Sequence, residues 1–465
     1  MKLVMKFGGS SIASASRIKN AARIVQRYSA NNSIVVVVSA IDDVTDRLVK
    51  IADLAQKGDE QKAKQLVSTV QTLHTKTAGR VASVNAGRET IKKIDLINKE
   101  LQRTVEGVSH LKEMTLRTRD YLLSFGERLS APIFSGALRA VGVNTRDLTG
   151  AEAGITTDEN FGEAKPLLEF SYHQIRDSLE PELSRKQVPV VAGFIASTLD
   201  GSFTTLGRGG SDYTASLVGA AINADEIWIW TDVDGLMTAD PRLVKDAKVL
   251  QNLSFSEALE LSYFGAKMMH PRALQPASMK KIPVRIKNSF KPNKDGTLIS
   301  TRESDHHEVV KAVSMIRDVG IVTVAGAGMV GAPGVAAGVF QILGANNINV
   351  IMISQGSSEA TISFVIARRD VERAVRTLQL ALLGQGYVER VTAEKDTCVI
   401  AIVGSGMKGT PGVAARIFKA VADKKINVRM VAQGSSEYNV SLVVAEETGP
   451  DAVSAIHEEF RLNEK

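Results

Sequence analysis

Lys6-Phe7-Gly8-Gly9-Ser10-Ser11 places a positive charge and a bare stretch of backbone directly behind the short apolar run Leu3-Val4-Met5. Glycines there let successive N–H groups come close to an anion, because any Cβ would hold the backbone away. A second glycine stretch, Leu206-Gly207-Arg208-Gly209-Gly210-Ser211-Asp212, joins flexible backbone to a guanidinium suited to bidentate carboxylate binding and to an acid. A third cluster, Thr231-Asp232-Val233-Asp234-Gly235, is followed by Asp240-Pro241-Arg242 and by Phe264-Gly265-Ala266-Lys267. Acids behind glycine turns can hold ribose hydroxyls or a metal, and an Asp-Gly turn accounts equally well for Asp234-Gly235. Two glycine loops, several cations and several acids together suggest phosphoryl transfer, which consists of positioning and charge neutralisation. No Walker motif and no protein-kinase catalytic-loop or DFG motif is present, so neither large nucleotide-using class fits.

These groups need a scaffold that delivers loops to one edge. The first 300 residues read as alternating strands and helices. Ile34-Val35-Val36-Val37-Val38 is a continuous apolar run, as expected of a strand covered on both faces of a parallel sheet, and similar runs occur at 188–192 and 227–230. The helical period of Ile18, Ala21, Ala22, Ile24, Val25 and Tyr28 follows the first glycine loop, so that loop leads into a helix. Residues 46–123 hold few strand formers and read as a mostly helical addition to the body. The charged, turn-rich stretch 291–308 marks a boundary, and a linker is expected over 301–312.

At 465 residues the chain exceeds a single core and should divide into two or three domains. With 44% hydrophobic and 23% charged residues it has the composition of a soluble globular protein. No apolar run is long enough to cross a membrane. One cysteine, Cys398, lies in an apolar strand and reads as a packing residue. Its solitude and the lack of a signal-peptide pattern predict a cytoplasmic location. A net charge of +6 spread along the chain suits small anionic substrates better than nucleic acid. The seven histidines show no metal-ligand spacing, so no protein-held metal is expected.

Beyond the boundary the chain repeats itself. Gly326, Ile348 and Gln355 recur as Gly404, Ile426 and Gln433, each at an offset of 78, and more than half of the residues from 326 to 359 are identical in the second copy. Each copy reads as a small βαββαβ module of the ferredoxin type. Gly404-Ser-Gly-Met-Lys408-Gly409-Thr410 imitates a phosphate loop, but the Lys-Gly order is reversed and the first copy has Val330 at the lysine.

The set Lys6–Ser11, Val38-Ser39-Ala40, Phe125-Gly126-Glu127-Arg128-Leu129-Ser130, Gly207–Asp212 and Thr231–Gly235 occurs in the order found in aspartate kinases, and the C-terminal pair resembles that family's tandem ACT domains. The resemblance covers essentially the whole chain. It implies an α/β amino-acid-kinase three-layer sandwich with a mainly parallel sheet over 1–300, then ACT domains at 313–388 and 389–465. The implied reaction moves the ATP γ-phosphoryl group to the β-carboxylate of L-aspartate, the first step of lysine, threonine and methionine biosynthesis. A carboxylate is already ionised at neutral pH, so the obstacle is repulsion between two anions rather than a missing base.

Carried over motif by motif, Lys6 neutralises the transferring group while Gly8, Gly9 and Ser10 offer N–H groups. Asp212 orients Lys6, and Gly209, Gly210 and Ser211 form the facing loop. Arg208 clamps the substrate α-carboxylate, Glu127 pairs with its α-ammonium, and Ser39 and Thr45 help to place it. Read alone, Glu127 would serve as a helix-start acid and Ser39 as a helix cap. Thr231 and Asp232 would contact the nucleoside, and Arg242 and Lys267 the phosphates. Met237 stands where related enzymes often carry a tyrosine near the adenine. Mg²⁺ is expected to ride on the nucleotide.

The ACT pair implies an amino-acid effector held near Gly331, Gly334, Asn349 and Gln355 and their counterparts Gly409, Gly412, Asn427 and Gln433; each Asn or Gln could equally end a strand. Residues 351–359 resemble threonine-responsive relatives more than strictly lysine-responsive ones. Paired ACT modules also favour a homo-oligomer, and in such families one module can be inserted in the other. Three alternatives compete. A kinase of another amino acid should lack the tandem repeat, a fusion to homoserine dehydrogenase should show a dinucleotide fingerprint behind it, and a non-catalytic sensor should have lost Lys6, Arg208 and Asp212.

Overall fold

In the computed structural model, residues 1–81, 84–263, 269–302, 309–384 and 386–464 are described. They fall into two compact units. The first comprises Met1–Leu236, Gln251–Phe255 and Met268–Arg302; the second comprises the described residues of Met237–Leu250, Ser256–Lys267 and Glu303–Lys465. The body expected over 1–300 is therefore interrupted twice by segments that cluster with the C-terminal part.

The first unit is built on an eight-stranded sheet. In chain order its strands are β1 (Lys2–Phe7), β2 (Ser33–Val38), β3 (Thr145–Leu148), β4 (Val188–Ala192), β7 (Glu226–Thr231), β8 (Asn252–Ser254), β9 (Val284–Asn288) and β10 (Thr297–Ser300), while β5 (Ile195–Ser197) and β6 (Phe203–Thr205) form a separate hairpin. The order across the sheet is β3-β4-β2-β1-β7-β9-β10-β8, and only the β9–β10 pair is antiparallel. The valines of β2 are fully buried, as a strand covered on both faces requires. Each such side chain contributes about 1.5–3 kcal/mol of burial.

One face carries α1 (Ala15–Ser29), α2 (Val44–Gln56), α3 (Glu60–Val81), α4 (Val84–Leu111) and α5 (Leu116–Ala140); the other carries α6 (Leu168–Ser184) and α7 (Gly210–Ala221), with α9 (Pro271–Met279) packed on α7. This is a three-layer sandwich with a mainly parallel sheet. Helix α1 buries Ile18, Ala21, Ala22, Ile24 and Val25, the stripe its period predicts, and Ser14 caps it by accepting from the Arg17 N–H. The mostly helical segment expected at 46–123 consists of α2, α3, α4 and the start of α5. Glu127 lies inside α5, well past its first turn, so it is not the helix-start acid that the isolated motif allowed.

The second unit takes in most of α8 (Phe255–Tyr263) and, beyond the boundary, β11 (Ala312–Ala325), α10 (Val335–Ala345), β12 (Val350–Gln355), β13 (Thr361–Ala367), α11 (Val371–Leu382), β14 (Arg390–Val403), α12 (Val413–Asp423), β15 (Met430–Gln433), β16 (Asn439–Ala445) and α13 (Gly449–Glu459). Its strands form one antiparallel sheet in the order β12-β13-β11-β14-β16-β15.

Two βαββαβ modules share the long central strands. The second half of β11 pairs with β13 and with the first half of β14, while the first half of β11, Ala312–Ile316, pairs with Val399–Val403 of β14. The hydrophobic cores follow that division. Val391 joins the core of the first module, and Val310 and Val313 join the core of the second. A boundary at 388 therefore cuts off the first module's last strand, and the second module's fourth strand comes from residues ahead of the first. No strand follows α13 up to residue 464, so β11 fills that slot and the first module sits as an insertion within the second. Of the linker expected at 301–312, residues 303–308 lie outside the described residues. Lys311 is fully buried against Glu257, with Nζ 3.0 Å from Oε2.

Candidate active site

Alternation along β1 sends Leu3, Met5 and Phe7 into the core beneath α1 and α5 and leaves Lys6 to the α7 face. Its ammonium lies 2.6 Å from Asp212 Oδ1, with both side chains about nine-tenths buried. The contact is close in distance but not aligned as a hydrogen bond, and Oδ1 has no hydrogen-bond partner. The pair thus sets an ammonium and a carboxylate side by side in a nearly dry place, with Oδ1 left free of hydrogen bonds.

Asp212 reaches this position because α7 begins sharply. Gly209 has φ +73°, and a Cβ there would stand 2.6 Å from His270 Cβ; a Cβ on Gly210 would meet the Phe194 ring at 2.7 Å. Both positions require glycine for space, and Gly209 for conformation as well. Ser211 packs on Gly193 in the same way. Arg208, just ahead of the turn, is exposed. It lines a cleft of about 480 Å³ with Arg119, Asp120, Glu163, Phe194 and Gly207.

The first glycine loop rests on neighbouring strand ends. The Gly8 N–H donates to Trp230 O at 3.1 Å, and a Cβ on Gly9 would approach Ala40 O at 3.1 Å. The carbonyl of Ser10 accepts from Arg17 at 2.7 Å. The segment after β2 completes that corner. Ser39 donates its N–H to Phe7 O and accepts through its carbonyl from the Ser130 hydroxyl. The Ala40 N–H donates to Glu127 Oε1 at 2.9 Å, while Oε2 is buried with no partner. Burial drives the Glu127 carboxyl up to about 8, against the opposing pull of the Ala40 amide and of Lys6. Thr45 sits half-buried in the first turn of α2. The structure thus brings Lys6, Gly8, Gly9, Ser39, Glu127 and Asp212 into one corner at the carboxyl ends of β1 and β2.

Thr231 ends β7, the strand next to β1, and Asp232 follows it directly. Asp234 is held by Lys294, Lys291 and Asn288, which pull its carboxyl down to about 2. These contacts belong to a turn that is itself fastened. The remaining nucleotide candidates are placed differently. Met237 and Arg242 belong to the second unit, where Arg242 forks onto Asp240. Lys267 lies outside the described residues. Among the described residues no three His, Cys, Asp or Glu side chains gather as a metal site.

In the second unit, Gly331, Gly334 and Gln355 line a cleft of about 370 Å³ with Met329, Val335, Glu359 and Ile362. Asn349 is exposed and is not among its lining residues; Gly409, Gly412, Asn427 and Gln433 are also exposed. Glu359 escaped the sequence reading: its Oε2 accepts from the Gly331 N–H at 3.0 Å, and Glu437 does the same for Gly409 at 2.6 Å. The signal was the repeat offset itself, since both glutamates recur with the glycines they serve.

Comparison with known proteins agrees over the full length. The model of the amino acid kinase family matches residues 1–288, and an ACT domain model matches 322–382 and 400–460. Aspartokinase 1, chloroplastic, of Arabidopsis thaliana is 34% identical over 98% of this chain and 80% of its own length. The bifunctional aspartokinase/homoserine dehydrogenase 2 of the same plant is 34% identical, and there the match covers 99% of this chain but 51% of the relative. Among solved structures, E. coli aspartokinase III in complex with aspartate and ADP (R-state) superposes with a TM-score of 0.84 at 28% identity, covering 99% of both chains. The same enzyme with lysine and aspartate (T-state) gives a TM-score of 0.79 at 28% identity, covering 98% of this chain and 99% of that one.

Proposed function

The chain belongs to the aspartate kinase family, an amino acid kinase body followed by ACT domains, and we propose that it transfers the ATP γ-phosphoryl group to the β-carboxylate of L-aspartate. The product is 4-phospho-L-aspartate, the entry to lysine, threonine and methionine synthesis. The observation that carries this reading is the corner where the Lys6–Asp212 pair and the half-satisfied Glu127 carboxyl meet the glycine loop. Lys6 supplies the positive charge that two approaching anions need. Glu127, with one oxygen already fixed by the Ala40 N–H, offers the other to an α-ammonium. Arg208 at the cleft edge suits the α-carboxylate. The E. coli neighbour crystallised with aspartate and ADP supports the same pair of ligands here. Mg²⁺ enters as part of the nucleotide and offsets phosphate charge.

The first-module cleft is the effector site in this reading, with threonine as the ligand. Its lining of Met329, Val335 and Ile362 beside Gln355 suits a short side chain with a methyl and a hydroxyl. The protein works as a homo-oligomer joined through the face of the first module that carries α10, a helix with no charged residue.

Purified protein with MgATP and L-aspartate is expected to give an acyl phosphate trapped by hydroxylamine as aspartyl hydroxamate. Product from another amino acid and none from aspartate would overturn the reading. Threonine added to the same assay is expected to inhibit; inhibition by lysine alone would reassign the cleft.

A further inference from the structure

Three consecutive residues, Asn288-Ser289-Phe290, touch both the Gly8–Ser11 loop with its following helix and the Thr231–Asp234 segment, the two sides of the first unit that would meet a nucleotide. Ser289 is buried at the end of β9. Its hydroxyl accepts from the Ser11 hydroxyl at 2.9 Å and donates to Thr231 O at 3.0 Å, while its N–H donates to the same carbonyl at 2.8 Å. Its own carbonyl accepts from Asn20 of α1 at 2.8 Å. Asn288 donates to Asp234 Oδ1 at 2.5 Å and lies 3.4 Å from Asp232 O. Phe290 lies under the Arg17 guanidinium, 4.9 Å from the ring centre, and that guanidinium also donates to Ser10 O.

The glycine loop and the Thr231–Asp234 segment leave adjacent strands, and strand pairing alone registers them only as far as Phe7 and Trp230. Beyond that point the hydroxyl of Ser289 is a physical link between the two. We propose that Ser289, flanked by Asn288 and Phe290, is a positioning residue for the nucleotide. It holds the phosphate-side loop and the nucleoside-side segment at a fixed separation, so that both ends of one ATP are met at once. A donor loop displaced by a fraction of an ångström loses much of its value for binding and for reaction. Glu127 and Arg208 make none of these contacts, so aspartate binding should be insensitive to the clasp.

This inference rests on the aspartate kinase reading, and its test separates the two. Ser289→Ala removes the hydroxyl link, while Ser11 keeps its bond to Trp230 O. Phe290→Ala removes only the half-exposed platform under Arg17 and leaves the buried contacts intact. Direct titration with ADP and steady-state kinetics with MgATP and aspartate are the readouts. Ser289→Ala is expected to weaken ADP binding and raise the KM for ATP at least about fivefold, Phe290→Ala by a smaller factor, with the KM for aspartate unchanged in both. Unchanged ADP affinity in Ser289→Ala, or a parallel rise of both KM values, would overturn the proposal. A wild-type protein that binds ADP but forms no hydroxamate would sink the activity assignment and leave the ADP titration to decide on the clasp.

Discussion

Glu127 carries a conflict that only a ligand resolves. Burial holds its carboxyl near 8 against an ordinary value of 4.5, so at neutral pH the free protein keeps a proton there. An α-ammonium arriving at Oε2 favours the ionised form, and aspartate binding near pH 7 is expected to release about one proton. Calorimetry in two buffers of different ionisation enthalpy measures that number, and zero release would refute the pairing. Stability follows from the same shift. Between 4.5 and about 8 the folded state binds a proton that the unfolded chain has lost. The contribution of this group to stability therefore falls as pH rises through that window and levels off above it. Glu127→Gln should remove the slope, so the melting-temperature difference between variant and wild type widens from about pH 5 to about pH 8. Parallel curves would show that the carboxyl titrates normally. The motif Phe125-Gly126-Glu127 was legible in the sequence, but its burial was not, because it depends on Ala40, Val44 and Leu48 packing against Gly126.

Elements with a long apolar run or a clean helical period are legible in the sequence alone. The runs at 34–38, 188–192 and 227–230 are β2, β4 and β7, because full burial on both faces leaves a continuous signature. The three-residue strands β5, β6 and β8 carry no such signature, and their placement depends on distant partners. Asp120 shows why. This buried carboxylate in α5 accepts from the N–H groups of Gly162 and Thr205 and from the Thr205 hydroxyl, so it ties the β6 strand to the helix 85 residues earlier. Burial raises its pKa, and the three donors oppose that rise. Asp120→Ala would leave two backbone N–H groups without their acceptor, at a cost of roughly 2–4 kcal/mol where water does not take its place. It should also loosen the wall of the cleft that holds Arg208. Chemical denaturation is expected to show a lowered midpoint in the variant; an unchanged midpoint would mean that water replaces the carboxylate.

At the scale of the molecule, the constant offset of 78 announced two modules, but no local pattern could tell that β11 serves both. Assigning Met237 and Arg242 to the second unit was equally illegible, since it arises from cores that Ala239 and Val244 join. The repeat carries one further message, because two copies of one fold in one chain are each other's control. Where the second copy has Arg416, Lys419 and Asp423 on α12, the first has Gly338, Gln341 and Ala345 on α10; Lys408, Glu458 and Arg461 correspond to Val330, Leu380 and Leu383. Val330 is 56% exposed and Leu380 80%. A solvated surface gains nothing from losing every one of these charges, whereas a surface covered by a second copy of the chain does. Gly338→Arg with Gln341→Lys would restore on α10 the two positive charges of the second copy. A Cβ at Gly338 meets nothing within 4 Å and Gln341 is exposed, so the fold should accept both. Sedimentation is expected to find the wild type as a dimer or larger and the double variant shifted toward monomer, with aspartate kinase turnover in the absence of effector retained. A wild type that stays monomeric at high concentration, or a variant that assembles like it, would mean that the bare face of the first module is covered by something other than this chain.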